Sequence, residues 1–236
     1  MKLEGQAAIV TGGGRGIGRA TALAFARKGA DVLLAARTVP EIEAVAAEVR
    51  EIGRQGVAVP TDVTQRPQVD AMVRQAYDRF GKVDILVNNA GVAIHNPVAG
   101  IREEDWDLTM AVNLKGVFLC TQAVFSRMCE QRRGMIVTVS SVSGKHGHPN
   151  GGAYCASKFG AVGFTETVAA EGRPYGVKAA VVCPGPVDTV MRRNNHPDDD
   201  LEKLTLPEDV ADLILFLVTQ PPRAHTFETV IRTPLM

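Results

Sequence analysis

Short aliphatic and β-branched runs alternate along the chain with longer stretches in which apolar residues return every three or four positions. The short runs predict seven strands, over residues 7–11, 31–35, 57–61, 85–88, 135–140, 178–183 and 229–232. Several of these are apolar at almost every position, the pattern of strands covered on both faces. The longer stretches, 18–29, 41–53, 66–80, 104–132, 153–173 and 207–219, carry helical spacing. Pro40 and Pro207 suit a first helical turn, where the missing N–H has no partner to lose. Strand and helix in strict alternation predict repeated βαβ units and a parallel sheet in an α/β fold.

Residues 192–200 (RRNNHPDDD) break the pattern. They read as a polar surface segment too charged to pack, a short lid over about 190–204 on an otherwise single domain spanning 1–236. The apolar runs fall far short of the roughly 20 residues that span a bilayer, and the N-terminus lacks the apolar core of a secretory signal. These features point to the cytoplasm and to no membrane partner. Lys plus Arg equals Asp plus Glu at 26 each, so the chain has no net field with which to hold nucleic acid. Cys120, Cys129, Cys155 and Cys183 form neither a C-x-x-C pair nor a ligand cluster with histidine, which predicts reduced thiols and no metal.

Candidate chemistry begins at the first strand–helix turn, Thr11-Gly12-Gly13-Gly14-Arg15-Gly16-Ile17-Gly18. Glycines there let a phosphate approach the backbone while the N–H groups of the following helix point at it, the arrangement of a dinucleotide site. The lysine and hydroxyl of an NTPase phosphate loop are missing, because Gly18 is followed by Arg19 and Ala20. The second strand ends Ala35-Ala36-Arg37 with no carboxylate before Glu41. An acidic residue at that point would bond a ribose 2′-hydroxyl, whereas Arg37 and Arg15 offer guanidinium forks to a 2′-phosphate. The predicted cofactor is therefore NADP(H), with NAD(H) the poorer fit. Asp62 and Val63 close the third strand, where the carboxylate either reaches an adenine amine or caps the next helix.

Tyr154 and Lys158 share one helix face by their four-residue spacing. A phenol of pKa near ~10 must be acidified by roughly 3 units, about 4 kcal/mol, to exchange protons near neutrality. A neighbouring ammonium has the right sign for that shift. Ser141 falls at the end of the fifth strand, where open α/β sheets place ligand groups, and its hydroxyl could bond a carbonyl oxygen. Asn88-Asn89-Ala90-Gly91 ends the fourth strand, and Asn113 lies among apolar residues inside a long helical stretch.

T-G-x-x-x-G-x-G at 11–18, N-N-A-G at 88–91, Ser141 with Y-x-x-x-K thirteen residues on, and Pro184-Gly185 together resemble the short-chain dehydrogenase/reductase family. The likeness runs from about residue 5 to residue 191. It implies a Rossmann-type, doubly wound seven-stranded parallel sheet of order 3-2-1-4-5-6-7. It also implies hydride transfer between NADP(H) and a carbonyl or secondary alcohol, of the 3-oxoacyl or general carbonyl reductase type. By that resemblance Asn113 holds a relay water, Ser141 orients the carbonyl, Tyr154 exchanges the proton, and Lys158 acidifies Tyr154 and grips the nicotinamide ribose. The cofactor would lie on Gly12, Gly14, Arg15, Gly16, Ile17, Gly18, Arg37, Asp62, Val63, Asn89, Ala90, Gly91, Tyr154, Lys158, Pro184, Gly185, Val187 and Thr189. Assembly as a homotetramer or homodimer through the helices of Asn113 and Tyr154 is implied as well, with Ala156, Gly160, Ala161 and Gly163 allowing close packing. Residues 231–236 (IRTPLM) stand where many relatives carry a V-D-G-G turn.

Substrate-facing positions are expected at Ile94, His95, Ser143, His146, Pro186 and Met191. Arg132, Arg133 and Arg173 either dock the acidic carrier of a 3-oxoacyl thioester or are solvated charges at helix ends, and small ketones, sugars and hydroxy acids are equally compatible with the pocket. The rival from another class is a catalytically silent dinucleotide-binding sensor or scaffold.

Overall fold

The computed structural model describes residues 2–234, so the terminal Leu235 and Met236 of the departing C-terminal stretch lie outside the described residues. Seven parallel strands form one sheet: β1 Ala7–Thr11, β2 Asp31–Ala36, β3 Gly56–Pro60, β4 Ile85–Asn88, β5 Gly134–Val139, β6 Val177–Pro184 and β7 Glu228–Ile231. They lie in the order β3-β2-β1-β4-β5-β6-β7, as the resemblance implied. The order reverses between β1 and β4, and a crevice opens there at the carboxyl ends of the strands.

Helices α1 Gly16–Arg27, α2 Val39–Glu51, α3 Arg66–Phe80, α4 Glu103–Met110, α5 Gly116–Glu130, α6 Gly152–Gly172, α7 Val190–Asn195 and α8 Pro207–Val218 complete the fold. Two apolar layers result. One joins alternate residues of β1 and β2 (Ala8, Val10, Val32, Leu34) to α1, α2 and α8, the other joins their neighbours (Ile9, Leu33, Ala35) to α3 and α5. Strand alternation therefore feeds both faces, which is why these strands read as unbroken apolar runs.

The structure departs from the pattern in two places. The helix expected over 104–132 is divided by a π turn at Ala111–Lys115, between α4 and α5. One extra residue is accommodated there, and Asn113 lies within it, buried. Such bulges favour sites where a side chain must leave the helical register. The run Glu103–Glu130 is long and apolar enough to cross a membrane by length and composition alone, and half of its most apolar window is buried inside this fold.

Residues 190–204 also differ from expectation, because the segment is structured. Thr189 caps α7 through its hydroxyl, which accepts the Arg192 N–H at 3.2 Å. Its charges neutralise one another locally, Arg192 with Asp199 at 2.5 Å and Arg193 with Asp188 at 2.6 Å. Asn195 donates to the Ala93 carbonyl oxygen at 3.0 Å and ties α7 to the loop after β4.

Candidate active site

The glycine turn is held by the end of β4. Asn89 donates its side-chain amide to the carbonyl oxygens of Thr11 and Gly12, at 2.9 and 3.1 Å. In return the Thr11 hydroxyl accepts the N–H groups of Asn89 and Ala90, at 3.0 and 3.1 Å. Gly12 and Gly16 adopt φ of +63° and +53°, a region costly for any residue with a β-carbon. A β-carbon on Gly18 would stand 2.2 Å from the Gly12 carbonyl oxygen, so that position must be bare for α1 to start beneath the turn. Across the crevice Thr189 faces Gly16, 3.2 Å from where its β-carbon would be.

A cavity of about 690 Å³ runs along this crevice. Every cofactor-binding residue expected from the sequence lines it except Gly18, which lies behind Gly12. Positive φ at Gly12 and Gly16, the start of α1 at Gly16 and the exposed Arg37 at the rim form a cradle for a dinucleotide, and these residues fit one. At this end Arg15 meets Glu41 at 3.5 Å, whereas Arg37 has no ion pair among the described residues. Asp62 does not cap α3: its carboxylate accepts the Thr64 N–H and hydroxyl at 2.9 and 2.8 Å, closing a turn ahead of that helix.

Ser141, Tyr154 and Lys158 line the middle of the cavity. Ser141 begins the loop after β5, and its oxygen accepts the Ser143 N–H at 3.1 Å. Tyr154 and Lys158 project from α6, with the Lys158 ammonium 5.7 Å from the Tyr154 ring centre and donating to the Val139 carbonyl oxygen at 3.0 Å. Burial raises the Tyr154 pKa above 10, and a hydrogen bond with Ser141 pulls it the other way. Burial also lowers Lys158 to about 8. In the chain by itself desolvation dominates both groups, and the opposing pull on the phenol comes from Ser141.

Asn113 does not line the cavity, and its side chain makes three hydrogen bonds within the chain. The amide donates to the Val92 carbonyl oxygen at 2.9 Å and to the Ser157 hydroxyl at 3.1 Å, while its oxygen accepts the Val92 N–H at 2.9 Å. Ser157 donates in turn to the Tyr154 carbonyl oxygen at 2.7 Å. Both donors of the Asn113 amide are thereby used, so a water held there would have to be bound as a donor.

His95, Ser143, Pro186 and Met191 line the substrate end as expected, but Ile94 and His146 do not. Ile94 turns into a separate small pocket beside Ile101. In place of His146 stand His148 and His196, which loop sequence could not single out because no fixed spacing links them to His95. Of the candidate docking cations, Arg133 pairs with Asp84 at 3.1 Å and Arg132 lies 5.8 Å from the Tyr175 ring centre. Gly160 and Ala161 are consumed within the chain, Gly160 against Leu114 and Ala161 buried, which leaves the partly buried Ala156 and the open Gly163 of the four small positions on α6.

Residues 6–200 match the family model described as short chain dehydrogenase. The chain belongs to that family. It is an oxidoreductase acting between C–OH and C=O groups. It is 40% identical over 229 residues, 94% of this chain and 93% of the relative, to a 3-oxoacyl-[acyl-carrier-protein] reductase of Synechocystis sp.. Its fold is similar to that of levodione reductase, with a TM-score of 0.93 and 30% identity over 98% of this chain and 97% of that one. A metagenomic short-chain oxidoreductase in complex with NADP superposes at a TM-score of 0.87, with 32% identity and full coverage of both chains.

Proposed function

We propose that this family member reduces a ketone, or oxidises the matching secondary alcohol, with NADP(H), using Tyr154 as the proton donor and acceptor. The observation that carries the reading is that Tyr154, Ser141 and Lys158 line one stretch of a cavity that begins at the glycine turn, with Ser141 acting on the phenol and the Lys158 ammonium 5.7 Å from its ring centre. Arg37, without an ion-pair partner among the described residues, supports the 2′-phosphate form of the cofactor, and the NADP complex of a similar structure agrees.

When bound, the nicotinamide supplies or accepts the hydride. Ser141 holds the substrate oxygen within reach of Tyr154, and Tyr154 gives it a proton during reduction. Lys158 keeps positive charge beneath the phenol while the proton leaves, and its bond to Val139 fixes where that charge stands. Gly12, Gly14, Gly16, Asn89, Val187 and Thr189 would hold the dinucleotide along the crevice. A silent nucleotide sensor would need neither the Ser141–Tyr154 bond nor a buried ammonium beside it.

Four free thiols fit a reducing compartment, which for this chain we take to be the cytoplasm. Trp106, Leu108, Phe118 and Phe159, all partly exposed on α4, α5 and α6, would be covered in a homodimer or homotetramer built on those helices.

The decisive test is NADPH consumption against a panel of simple ketones, diketones and acetoacetyl thioesters, followed by Tyr154→Phe. The variant should lose at least about 100-fold in kcat, the contribution of a positioned acid, while NADPH affinity changes little. Turnover that survives the substitution would refute the proton-transfer role.

A further inference from the structure

The substrate end of the cavity is walled by imidazoles. The His95 ring centre lies 5.5 Å from that of Tyr154, 5.8 Å from His148 and 5.9 Å from His196. These three histidines come from three separate segments, the loop after β4, the loop before α6 and the residue after α7. The orientation of His148 is set by its neighbours. Its Nδ1 faces the Pro149 carbonyl oxygen at 3.0 Å, which can only accept, so the neutral ring carries its proton there. Its Nε2, 3.0 Å from the Ser143 oxygen, then accepts from that hydroxyl.

The charged groups around this wall cancel in pairs. Arg192 is neutralised by Asp199 and Arg193 by Asp188. The cavity's carboxylates, Glu41 and Asp62, belong to the glycine-turn end, where Glu41 meets Arg15. Among the described residues no carboxylate lines the histidine end, and no cluster there could hold a metal ion. What remains beside Tyr154 is the His95 ring packed against those of His148 and His196, with Arg192 lining the same end and its partner Asp199 the one carboxylate acting on His196.

We propose that this wall binds the carboxylate of an oxo-acid substrate, with His95 and His196 as specificity-determining residues and His148 locked beside them by Ser143. This inference rests on the reductase reading above and adds the substrate class. With the His95 ring centre 5.5 Å from that of Tyr154, an acid group one or two carbons from a ketone held by Ser141 and Tyr154 would reach the imidazoles, as in a 3-oxo acid. Desolvation, the neighbouring imidazoles and Arg192 hold His95 below its ordinary value; burial and Arg192 do the same for His196, against a smaller opposing pull from Asp199. An incoming carboxylate opposes both effects. Its binding therefore draws protons from solution, and its affinity rises as pH falls through the histidine range.

The test uses the whole protein with NADPH, acetoacetate and its neutral ethyl ester, from about pH 8 to about pH 5.5, a span over which the acid stays ionised and imidazoles titrate. The ratio of kcat/KM for acid over ester should rise by about tenfold on acidification, the equivalent of one pKa unit of coupling. Dividing by the ester cancels the common pH dependence of Tyr154 and Lys158. The double variant His95→Gln, His196→Gln should flatten that ratio. Calorimetry of acetoacetate binding in two buffers of different ionisation enthalpy should show proton uptake. A flat ratio with ready reduction of the ester would overturn the carboxylate site and leave the reductase reading standing. So would a pH-dependent ratio that persists in the double variant. Proton uptake on acetoacetate binding without any turnover would support the carboxylate site and refute the reductase reading instead.

Discussion

Asn113 treats Val92 as a strand treats its neighbour, accepting the Val92 N–H and donating to the Val92 carbonyl oxygen, each at 2.9 Å. The chain leaving β4 thereby gains a hydrogen-bonding partner from inside a helix, made available by the π turn at Ala111–Lys115. Gly91 is part of the same arrangement, since a β-carbon there would meet the Asn113 oxygen at 3.3 Å and the Lys158 ammonium at 3.7 Å. A side chain between Val92 and Ser157 thus links the cofactor wall to the helix carrying Tyr154.

Asn113→Asp should destabilise the fold by about 3 kcal/mol, more than Asn113→Ala, because it turns a donor into a buried acceptor facing the Val92 carbonyl oxygen. Denaturant midpoints of the two variants check the order. Equal losses would mean that the two-point contact with Val92 is not what the residue contributes.

Gly18→Ala places a methyl group 2.2 Å from the Gly12 carbonyl oxygen and 2.6 Å from the Asn89 amide. Neither can withdraw without opening the turn, so NADPH affinity should drop by more than tenfold, with a stability loss of about 1–3 kcal/mol. Gly53→Ala, where a β-carbon meets nothing within 4 Å but φ is +88°, is the comparison, and it should cost stability without affecting the cofactor.

Arg37→Ala should weaken NADPH about tenfold, the scale of one charge-assisted hydrogen bond, and NADH hardly at all. Glu41→Gln should act in the opposite direction by releasing Arg15 from its 3.5 Å contact. Fluorescence titration with both cofactors measures each. An equal loss of NADPH and NADH affinity in Arg37→Ala would remove the 2′-phosphate assignment.

Lys158 titrates at about 8 in the folded chain against 10.5 in the open. Between those values the unfolded chain binds more protons, so this group makes stability rise with pH there and costs about 3 kcal/mol below it. Replacing it removes that cost but also the bond to Val139, worth about 1 kcal/mol. Lys158→Met should therefore melt higher than the wild type at neutral pH while losing turnover, and the difference should shrink toward pH 10.5. A variant that melts lower at neutral pH would contradict the burial cost.

Some of this molecule is readable from residue order alone. Unbroken apolar runs such as 7–10 and 32–35 demand cover on two faces, and alternating them with helical stretches of one or two dozen residues leaves little but a parallel sheet. The glycine turn was legible for the same local reason, since backbone conformation at Gly12 and Gly16 depends on the absence of a side chain there. The spacing of Tyr154 and Lys158 likewise needs nothing beyond one helix.

Other features exist only once distant segments meet. Burial, not the neighbouring ammonium, governs the Tyr154 proton in the chain itself, because desolvation depends on everything packed around the ring. The polar segment after Thr189 is ordered because its charges find one another and Asn195 finds Ala93, 102 positions away. His95, His148 and His196 carry no common spacing, and only the folding of three loops over one cavity makes them a wall. Periodicity and turn chemistry are local and survive in a one-dimensional reading. Dielectric environment and convergence across loops are properties of the packed volume, and so belong to the tertiary structure alone.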